Sequence, residues 1–301
     1  MPCRYPTGLG MFGWDVQTAR LEWRRSVFAA YGAVATPFPE KNTVALRRNA
    51  KLSLWNYATG AESLPIDIGV DDGPAASSHD GHRLAVADER RGSIRILSDT
   101  GRIIHEYTVG SGVRALAFTH DDQAVLFAVN EHVKLWKYAR DEVRLVRTHR
   151  APVISLHTDT STDHVLSIAG QRGQPLEILL WNPETTNAPL SFKVGLAVEV
   201  HAITDDWRRV VTAESGLDLA VWELPSQKPV SRRTLAEGQL PGSSGPILDF
   251  VNLAVSETGT LAAVRERNAK SIKLVKLPPV ANVGELDEVA AAGTSSEPAK
   301  T

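Results

Sequence analysis

A short strand-like phrase returns along the chain at nearly even intervals. It has three mostly apolar residues followed by a large one, and its clearest copy is Val133-Lys134-Leu135-Trp136. The seven copies end at Trp14, Trp55, Leu97, Trp136, Trp181, Trp222 and Val275. The successive steps are 41, 42, 39, 45, 41 and 53 residues. The chain therefore repeats one strand-containing unit.

A period near 40 residues with a terminal Trp is typical of one blade of a β-propeller. Turn-forming residues divide each repeat further, as in the third repeat, where Asp80-Gly81 separates its first strand from Leu84–Ala87. Four short strands fit into each full repeat. The sequence therefore predicts an all-β fold, a β-propeller of four-stranded antiparallel blades.

The two ends of the repeat leave the number of blades open. The first repeat holds only the second half of a blade, and the last lacks its outer strand. Seven blades, with the first and last incomplete, are favoured. In the alternative, the strand at residues 21–28 completes the last blade, which gives six complete blades. A third interpretation makes the chain a fragment of a longer propeller protein.

Length and composition favour one domain with tails. The chain has 301 residues, of which 43% are hydrophobic and 23% charged, as in ordinary globular proteins. Its net charge of −2 gives no electrostatic reason to expect nucleic acid as a partner. We predict an N-terminal extension at 1–10, a propeller at 11–277 with a flexible insertion at about 239–246, and a disordered tail at 278–301.

Cysteine use and hydropathy bear on the cellular compartment. Cys3 is the only cysteine, which excludes an internal disulfide framework and a cysteine-based zinc site within one chain. The sequence contains no apolar stretch of about 20 residues that could cross a membrane, and its first residues do not form a secretory signal. We expect a soluble cytoplasmic protein.

Over about residues 11–277 the repeats resemble the WD-repeat family of β-propellers. The resemblance rests on Val133–Trp136 and on the segment 148–156, which is similar to the family's junction between blades. Asp15 follows Trp14 as the family prefers, whereas Asn, Lys or Glu follows the later tryptophans of the repeat.

The resemblance also implies roles for individual residues. In the family, a turn Asp, a junction His, a Ser or Thr and the Trp form a buried hydrogen-bond network. No repeat here shows the whole set, so we expect the blades to be held mainly by apolar packing, with His149 as a junction hydrogen-bond donor. The structural tryptophans of the blades are Trp14, Trp55, Trp136, Trp181 and Trp222.

The sequence offers no established motif for catalysis or metal binding. His79 and His82 flank the Asp80-Gly81 turn and are interpreted as exposed turn residues rather than metal ligands. The acidic pairs are interpreted as solvated turn formers rather than catalytic carboxylates. They are Asp71-Asp72, Asp121-Asp122 and Asp205-Asp206. We expect no catalytic residue, no metal and no cofactor.

The loops between the second and third strands of the blades carry an excess of arginine, and all of them open on one face of a propeller. Arg suits forked recognition of carboxylates or phosphates. The candidate partner-binding residues are Arg47, Arg48, Arg90, Arg91, His132, Arg172, Arg265 and Arg267. In the competing interpretation these are solvated loop charges balanced by nearby glutamates.

These features favour a non-catalytic protein-interaction scaffold or recognition module of the WD-repeat type, with a protein or peptide as its partner. One alternative is a propeller enzyme or small-ligand sensor that uses the central channel. Another is the sensor part of a larger signalling protein. Small apolar first strands, such as Ala115–Phe118, favour the scaffold, because an enzyme needs convergent acid, base or metal groups there.

Overall fold

The computed structural model describes most of the repeat region. The described residues are 9–15, 20–27, 34–38, 43–48, 51–63, 65–67, 73–88, 91–110, 112–158, 162–171, 174–195, 198–204, 207–214, 218–224, 229–234, 250–255, 260–266 and 273–278. The predicted insertion at 239–246, most of the predicted N-terminal extension and the predicted tail beyond Pro278 lie outside them.

All regular elements of the described residues are strands, arranged in seven antiparallel sheets. Sheet 1 contains β1 (Leu9–Asp15) and β2 (Arg20–Val27). Sheet 2 contains β3 (Val34–Phe38), β4 (Thr43–Arg48), β5 (Lys51–Asn56) and β6 (Ile66–Asp67). Sheet 3 contains β7 (Ala75–Ser77), β8 (Arg83–Asp88), β9 (Ser93–Ser98) and β10 (Ile103–Thr108). Sheet 4 contains β11 (Val113–Phe118), β12 (Val125–Val129), β13 (His132–Lys137) and β14 (Glu142–Thr148).

The remaining sheets follow the same plan. Sheet 5 contains β15 (Val153–Thr158), β16 (Val165–Ala169), β17 (Leu176–Trp181) and β18 (Leu190–Val194). Sheet 6 contains β19 (Val198–Ile203), β20 (Arg209–Glu214), β21 (Asp218–Glu223) and β22 (Pro229–Thr234). Sheet 7 contains β23 (Phe250–Val255), β24 (Leu261–Glu266) and β25 (Lys273–Lys276). Strands are neighbours in chain order within every sheet.

The chain divides into two compact units. Unit 1 comprises Met1–Thr148 and Val153–Asp163, and unit 2 comprises His149–Pro152 and His164–Thr301. In unit 1 the first strands of successive sheets lie side by side, β7 next to β11 and β11 next to β15. In unit 2 the first strands β19 and β23 are neighbours in the same way. Within each unit, successive sheets therefore contact each other through their first strands.

The repeated phrase of the sequence lies on strands in all seven sheets, as predicted. Its last residue falls on β1, β5, β9, β13, β17, β21 and β25. The outer strand of sheet 2 is short, and the isolated bridge between Trp55 and Glu62 precedes it. The first strand of sheet 7 runs from Phe250 to Val255.

The ends of the repeat region form two separate incomplete sheets among the described residues. Strand β2 pairs with β1, from Leu9 opposite Val27 to Asp15 opposite Arg20. Sheet 7 has three described strands. The choice between six and seven blades therefore stays a prediction.

Trp136 shows how sheets 3 and 4 pack. Its side chain is 1% exposed and lies in an apolar cluster formed by the two sheets. The Tyr107 ring of β10 lies 5.4 Å from the Trp136 ring, and the Trp136 Nε1–H donates to Asp141 Oδ1 at 3.1 Å. The indole therefore fills the space between two sheets and still satisfies its one polar group.

Sheet 5 contains three of the four members of the family's network, and Glu177 takes the place of the turn Asp. Trp181 Nε1–H donates to Ser167 Oγ at 2.8 Å, and His149 Nε2 is hydrogen-bonded to the same oxygen at 2.8 Å. Glu177 Oε2 lies 3.0 Å from His149 Nδ1, where the family uses a turn Asp. Glu177 sits on β17 rather than in the turn, and its longer side chain spans the extra distance. The predicted junction role of His149 is confirmed.

Sheet 6 contains a variant of this network without histidine. Trp222 Nε1–H donates to Thr212 Oγ1 at 2.9 Å, and the Thr212 hydroxyl donates to Glu214 Oε1 at 3.2 Å. Arg232 Nη2 lies 3.2 Å from Glu214 Oε2 and balances its charge. Apolar packing alone therefore does not hold sheets 5 and 6.

The hairpin turns between the first and second strands repeat one hydroxyl-centred design. In sheets 3, 4 and 6, the oxygens of Ser78, Thr119 and Thr204 accept the N–H five residues later, at 2.9, 3.1 and 3.1 Å. The fourth residue of each turn has a positive φ: 66° at Gly81, 54° at Asp122 and 53° at Trp207. A side-chain oxygen thus closes each turn in place of a second backbone ladder bond.

Asp122 corrects the prediction that the acidic pairs are solvated turn formers. Its carboxylate is buried, with the residue 6% exposed, and accepts the backbone N–H groups of His79 and Asp80 at 3.0 and 2.9 Å. It therefore ties the turn of sheet 4 to the turn of sheet 3. Its neighbour Asp121 accepts the Thr119 hydroxyl at 2.6 Å within its own turn. Asp71, Asp72, Asp205 and Asp206 lie outside the described residues.

Replacing Trp136 with Ala should lower the free energy of unfolding by about 3–5 kcal/mol, because the change leaves a cavity between two sheets. Urea denaturation followed by circular dichroism measures the loss. Leu145→Ala on β14 is the matched control, since Leu145 is 56% exposed and should change stability by less than about 0.5 kcal/mol. Equal effects of the two substitutions would contradict the packing role of Trp136.

Candidate partner-binding site

The structure describes part of the predicted arginine-bearing face. Arg91 lies in the β8–β9 turn, and His132 is the first residue of β13. Three further residues lie on strands, but their side chains are outside the described set: Arg47 and Arg48 at the end of β4, and Arg265 on β24. Arg90, Arg172 and Arg267 lie outside the described residues. Arg91 and His132, the two candidates whose side chains the structure describes, both belong to unit 1.

In unit 1, the turns between second and third strands contact the starts of first strands. The N–H groups of Val109 and Gly110, which lead into β11, donate to Gly92 O at 2.7 and 2.9 Å. Val153 N–H, at the start of β15, donates to Asn130 O at 2.8 Å. These bonds place Arg91, His132 and the first residues of β11 and β15 at one end of the unit, called the binding end below.

Gly92 is required for this connection. Its φ is +61°, and a Cβ atom added there would lie 1.9 Å from the carbonyl oxygen of Gly110. That distance is far inside van der Waals contact, so the turn and the segment before β11 approach each other with no room for a side chain.

A buried charge network holds Arg91. The Arg91 backbone N–H donates to Asp88 Oδ1 at 3.0 Å, and its Nε lies 3.8 Å from Asp88 Oδ2, while the side chain stays 60% exposed. Buried Arg95 joins the same group, with Nη1 3.5 Å from Asp88 Oδ2 and Nε donating to Glu106 Oε1 at 2.8 Å. The hydrogen bond from Arg95 holds the pKa of Glu106 below its ordinary value of 4.5. Sheet 3, which has Leu97 in place of Trp, thus has its own polar network.

His132 is engaged with its neighbours. Its Nδ1 is hydrogen-bonded to Thr148 Oγ1 at 3.2 Å, and its Nε2 lies 3.4 Å from Glu131 Oε1. The side chain is partly exposed, so it can touch a partner, but both ring nitrogens already have polar neighbours.

A pocket that sequence reasoning missed opens at the binding end. Its volume is about 410 Å³, and its lining residues are Gly73, Pro74, Gly112, Val113, Arg114 and Ile154. They come from the segment before β7 and from the first residues of β11 and β15. The volume falls within the range of roughly 300–1,000 Å³ that is usual for ligand pockets.

The pocket combines a cation with apolar and backbone surface. Arg114 is exposed, and Ile154 is 36% exposed although both lie on first strands. Glycine and proline leave the backbone accessible beside them. Such a site suits an extended peptide that brings a carboxylate to Arg114 and an aliphatic side chain to Ile154.

The described residues contain neither a metal-binding cluster nor a membrane-spanning helix. No group of three or more His, Cys, Asp or Glu side chains in them is placed to hold a metal ion. They also contain no helix of the length and apolarity needed to span a bilayer.

Comparison with solved structures decides the fold. The structure of U3-55K superposes with a TM-score of 0.67 at 18% sequence identity, covering 84% of this chain and 80% of that one. The crystal structure of the RRP9 WD40 repeats gives a TM-score of 0.66 at 18% identity, covering 84% and 78%. The chain has the WD40 β-propeller fold. The predicted fold class, and at the level of the fold the predicted resemblance to WD-repeat proteins, are confirmed.

Sequence comparison gives a similarity to part of the chain. The chain is 24% identical over 210 residues to the SIR4-interacting protein SIF2 of Saccharomyces cerevisiae, which covers 63% of this chain. The match spans 36% of SIF2, about a third of the length of that relative. No family model matches the chain.

Gly92→Ala should lower the free energy of unfolding by about 3 kcal/mol, because it adds a steric clash to an unfavourable positive φ. Gly60→Ala is the matched control: Gly60 has a φ of +76° and nothing within 4 Å of an added Cβ, so it tests the backbone cost alone, about 1–2 kcal/mol. Chemical denaturation of both variants measures the difference. Equal losses would show that the Gly92–Gly110 approach is not a constraint.

Proposed function

We propose that this protein is a non-catalytic protein-interaction module that binds an acidic peptide segment at the binding end of unit 1. The pocket beside Arg114 carries the proposal, because it places an exposed guanidinium next to exposed apolar and backbone surface. Carboxylate recognition supplies orientation, and burial of an aliphatic side chain against Ile154 supplies affinity.

The comparisons support the class of function. The fold is that of WD40 repeats, and the name of the relative SIF2 describes it as interacting with another protein, SIR4. A similarity that covers a third of SIF2 does not carry over a partner. The chemistry of the pocket is therefore the basis for naming the partner as an acidic peptide.

The first strand of sheet 4 agrees with a non-catalytic role. Residues 115–118 of β11 are all buried and apolar, so they offer no acid or base. Ser167, His149 and Glu177 are hydrogen-bonded to one another in the order serine, histidine, acid, as in the catalytic triad of a hydrolase. Ser167, however, is fully buried and bonded to Trp181. A substrate cannot reach it, and its role is structural.

One observation favours the competing hypothesis of an enzyme. Ser155 Oγ and His157 Nε2 on β15 lie 2.5 Å apart, which pairs a nucleophile with a base on a first strand. Incubation with a fluorophosphonate probe, followed by peptide mass spectrometry, tests this. Covalent labelling of Ser155 would support the enzyme and count against a purely non-catalytic module.

Selection from a phage-displayed library of random peptides tests the proposal. We expect selected peptides to share an Asp or Glu next to an aliphatic residue. Arg114→Glu should weaken binding of a selected peptide by about tenfold or more in fluorescence polarisation, because the rim charge is reversed.

Arg102→Glu is the control for this measurement. Arg102 is exposed on the same unit, in the turn between β9 and β10, away from the pocket residues, and its reversal makes the same change in net charge. Binding by the Arg102 variant should equal wild type. Equal losses in both variants would indicate non-specific electrostatics, and selected peptides without acidic residues would overturn the assigned partner.

A further inference from the structure

His79 connects three elements of unit 1. It lies in the β7–β8 turn, and its Nδ1 is hydrogen-bonded to Asp122 Oδ1 in the β11–β12 turn at 2.9 Å. Its Nε2 lies 3.3 Å from Thr158 Oγ1 at the end of β15. Both ring nitrogens therefore have partners on neighbouring sheets, and the ring is half-buried.

The surroundings of the ring consist of hydrogen-bond acceptors. Besides the Asp122 carboxylate and the Thr158 hydroxyl oxygen, the backbone carbonyl groups of Thr119 and Thr158 favour the protonated ring. A neutral imidazole carries one N–H, whereas the imidazolium carries two. The doubly protonated ring can donate at both nitrogens, so the geometry suits the cation.

The other ionisable groups near His79 are already engaged in hydrogen bonds or ion pairs. Arg83 donates to the Asp122 carbonyl at 2.8 Å and to the Tyr138 hydroxyl at 2.6 Å, and its Nη2 lies 3.6 Å from Asp80 Oδ2. The Tyr138 hydroxyl donates to the same Asp122 carbonyl. Burial raises the pKa of Tyr138 above its ordinary value of 10.0, so it stays neutral near physiological pH. His120 pairs with Asp163 at 2.9 Å.

We propose that the His79–Asp122 pair is an acid-strengthened clamp that holds the first hairpin turns of sheets 3 and 4 and the end of β15 together. Loss of the proton from His79 loosens it. Opening of the end of unit 1 that contains these turns is thereby coupled to proton concentration. The clamp is separate from the pocket beside Arg114, so it does not depend on the proposed function.

The sign of the pH dependence follows from both partners. The hydrogen bond and charge of Asp122 raise the pKa of His79 above its ordinary value of 6.5 in spite of burial. Burial acts to raise the pKa of Asp122, but hydrogen bonds from His79 and Asp80 hold it below its ordinary value of 3.8. The stabilisation is therefore complete between about pH 4 and 6.5, and it is lost as the pH rises through the folded pKa of His79.

His201 in unit 2 acts in the opposite direction. Burial lowers its pKa from 6.5 to about 4, so its contribution to stability falls as the pH drops below 6.5. The wild-type pH profile is the sum of both effects. A comparison of variants with the wild type at each pH cancels the His201 contribution.

The first test compares His79→Asn with His82→Asn in urea denaturation at pH 6.0 and 8.5. Asn keeps a neutral donor near the Nδ1 position but cannot take a charge. The unfolding equilibrium constant of His79→Asn relative to wild type should rise more at pH 6.0 than at pH 8.5, by up to about tenfold for each unit by which the folded pKa exceeds 6.5. His82 faces Asp99 at 3.1 Å but is 60% exposed, so its variant serves as the surface control at both pH values.

The second test follows the His79 imidazole C2 proton by NMR in the full chain, with Asp122→Asn as the variant. Asn tolerates the positive φ of 54° at this position and keeps an acceptor oxygen for one of the two backbone N–H groups, those of His79 and Asp80. We expect His79 to titrate above pH 6.5 in the wild type and lower in Asp122→Asn. A wild-type midpoint at or below 6.5, or an equal effect of His79→Asn at both pH values, would overturn the clamp.

Discussion

The second strands β8, β12, β16 and β20 are buried along nearly their whole length, which means that they are covered on both faces. A strand in this position cannot alternate between apolar and polar residues, because neither face meets water. This explains the continuous apolar runs such as Val125–Ala128. It also restricts the polar residues that these strands and their neighbours can contain, since a buried polar group without a partner costs about 1–3 kcal/mol.

Three buried polar side chains of the sheets satisfy this restriction in different ways. Ser167 in sheet 5 is bonded to Trp181 and His149, and Thr212 in sheet 6 is bonded to Trp222 and Glu214. Buried Arg95 in sheet 3 pairs with Glu106 instead. Each of these three sheets therefore contains a buried polar side chain that has bonding partners, but the residues that form the group differ from sheet to sheet. That variation is why the sequence shows no uniform network signature.

The sequence predicted the strands well because their signal is local. Each copy of the phrase lies close in sequence to the turn residues that precede it, and every copy falls on a strand. The sheet 5 network was missed because Glu177 reaches His149 from the strand rather than from the turn. Asp122 was misread because its burial depends on His79 and Asp80, which lie about 40 residues away in sequence. The pocket was missed since glycine, proline and backbone form much of it, and these carry no side-chain motif.

The hairpin turns show how one backbone design supports different chemistry. Each places a residue with positive φ in its fourth position, held by a Ser or Thr oxygen. Gly81 adds nothing there beyond its conformation. Asp122 extends from the same position to the neighbouring turn and supplies a charge, whereas Trp207 joins an apolar cluster with residues of β16, β17 and β21. Because the hydroxyl holds the backbone, the fourth side chain is free to vary. The same turn can therefore be neutral, responsive to protons or purely apolar, and this choice sets how each sheet is tied to its neighbour within its unit.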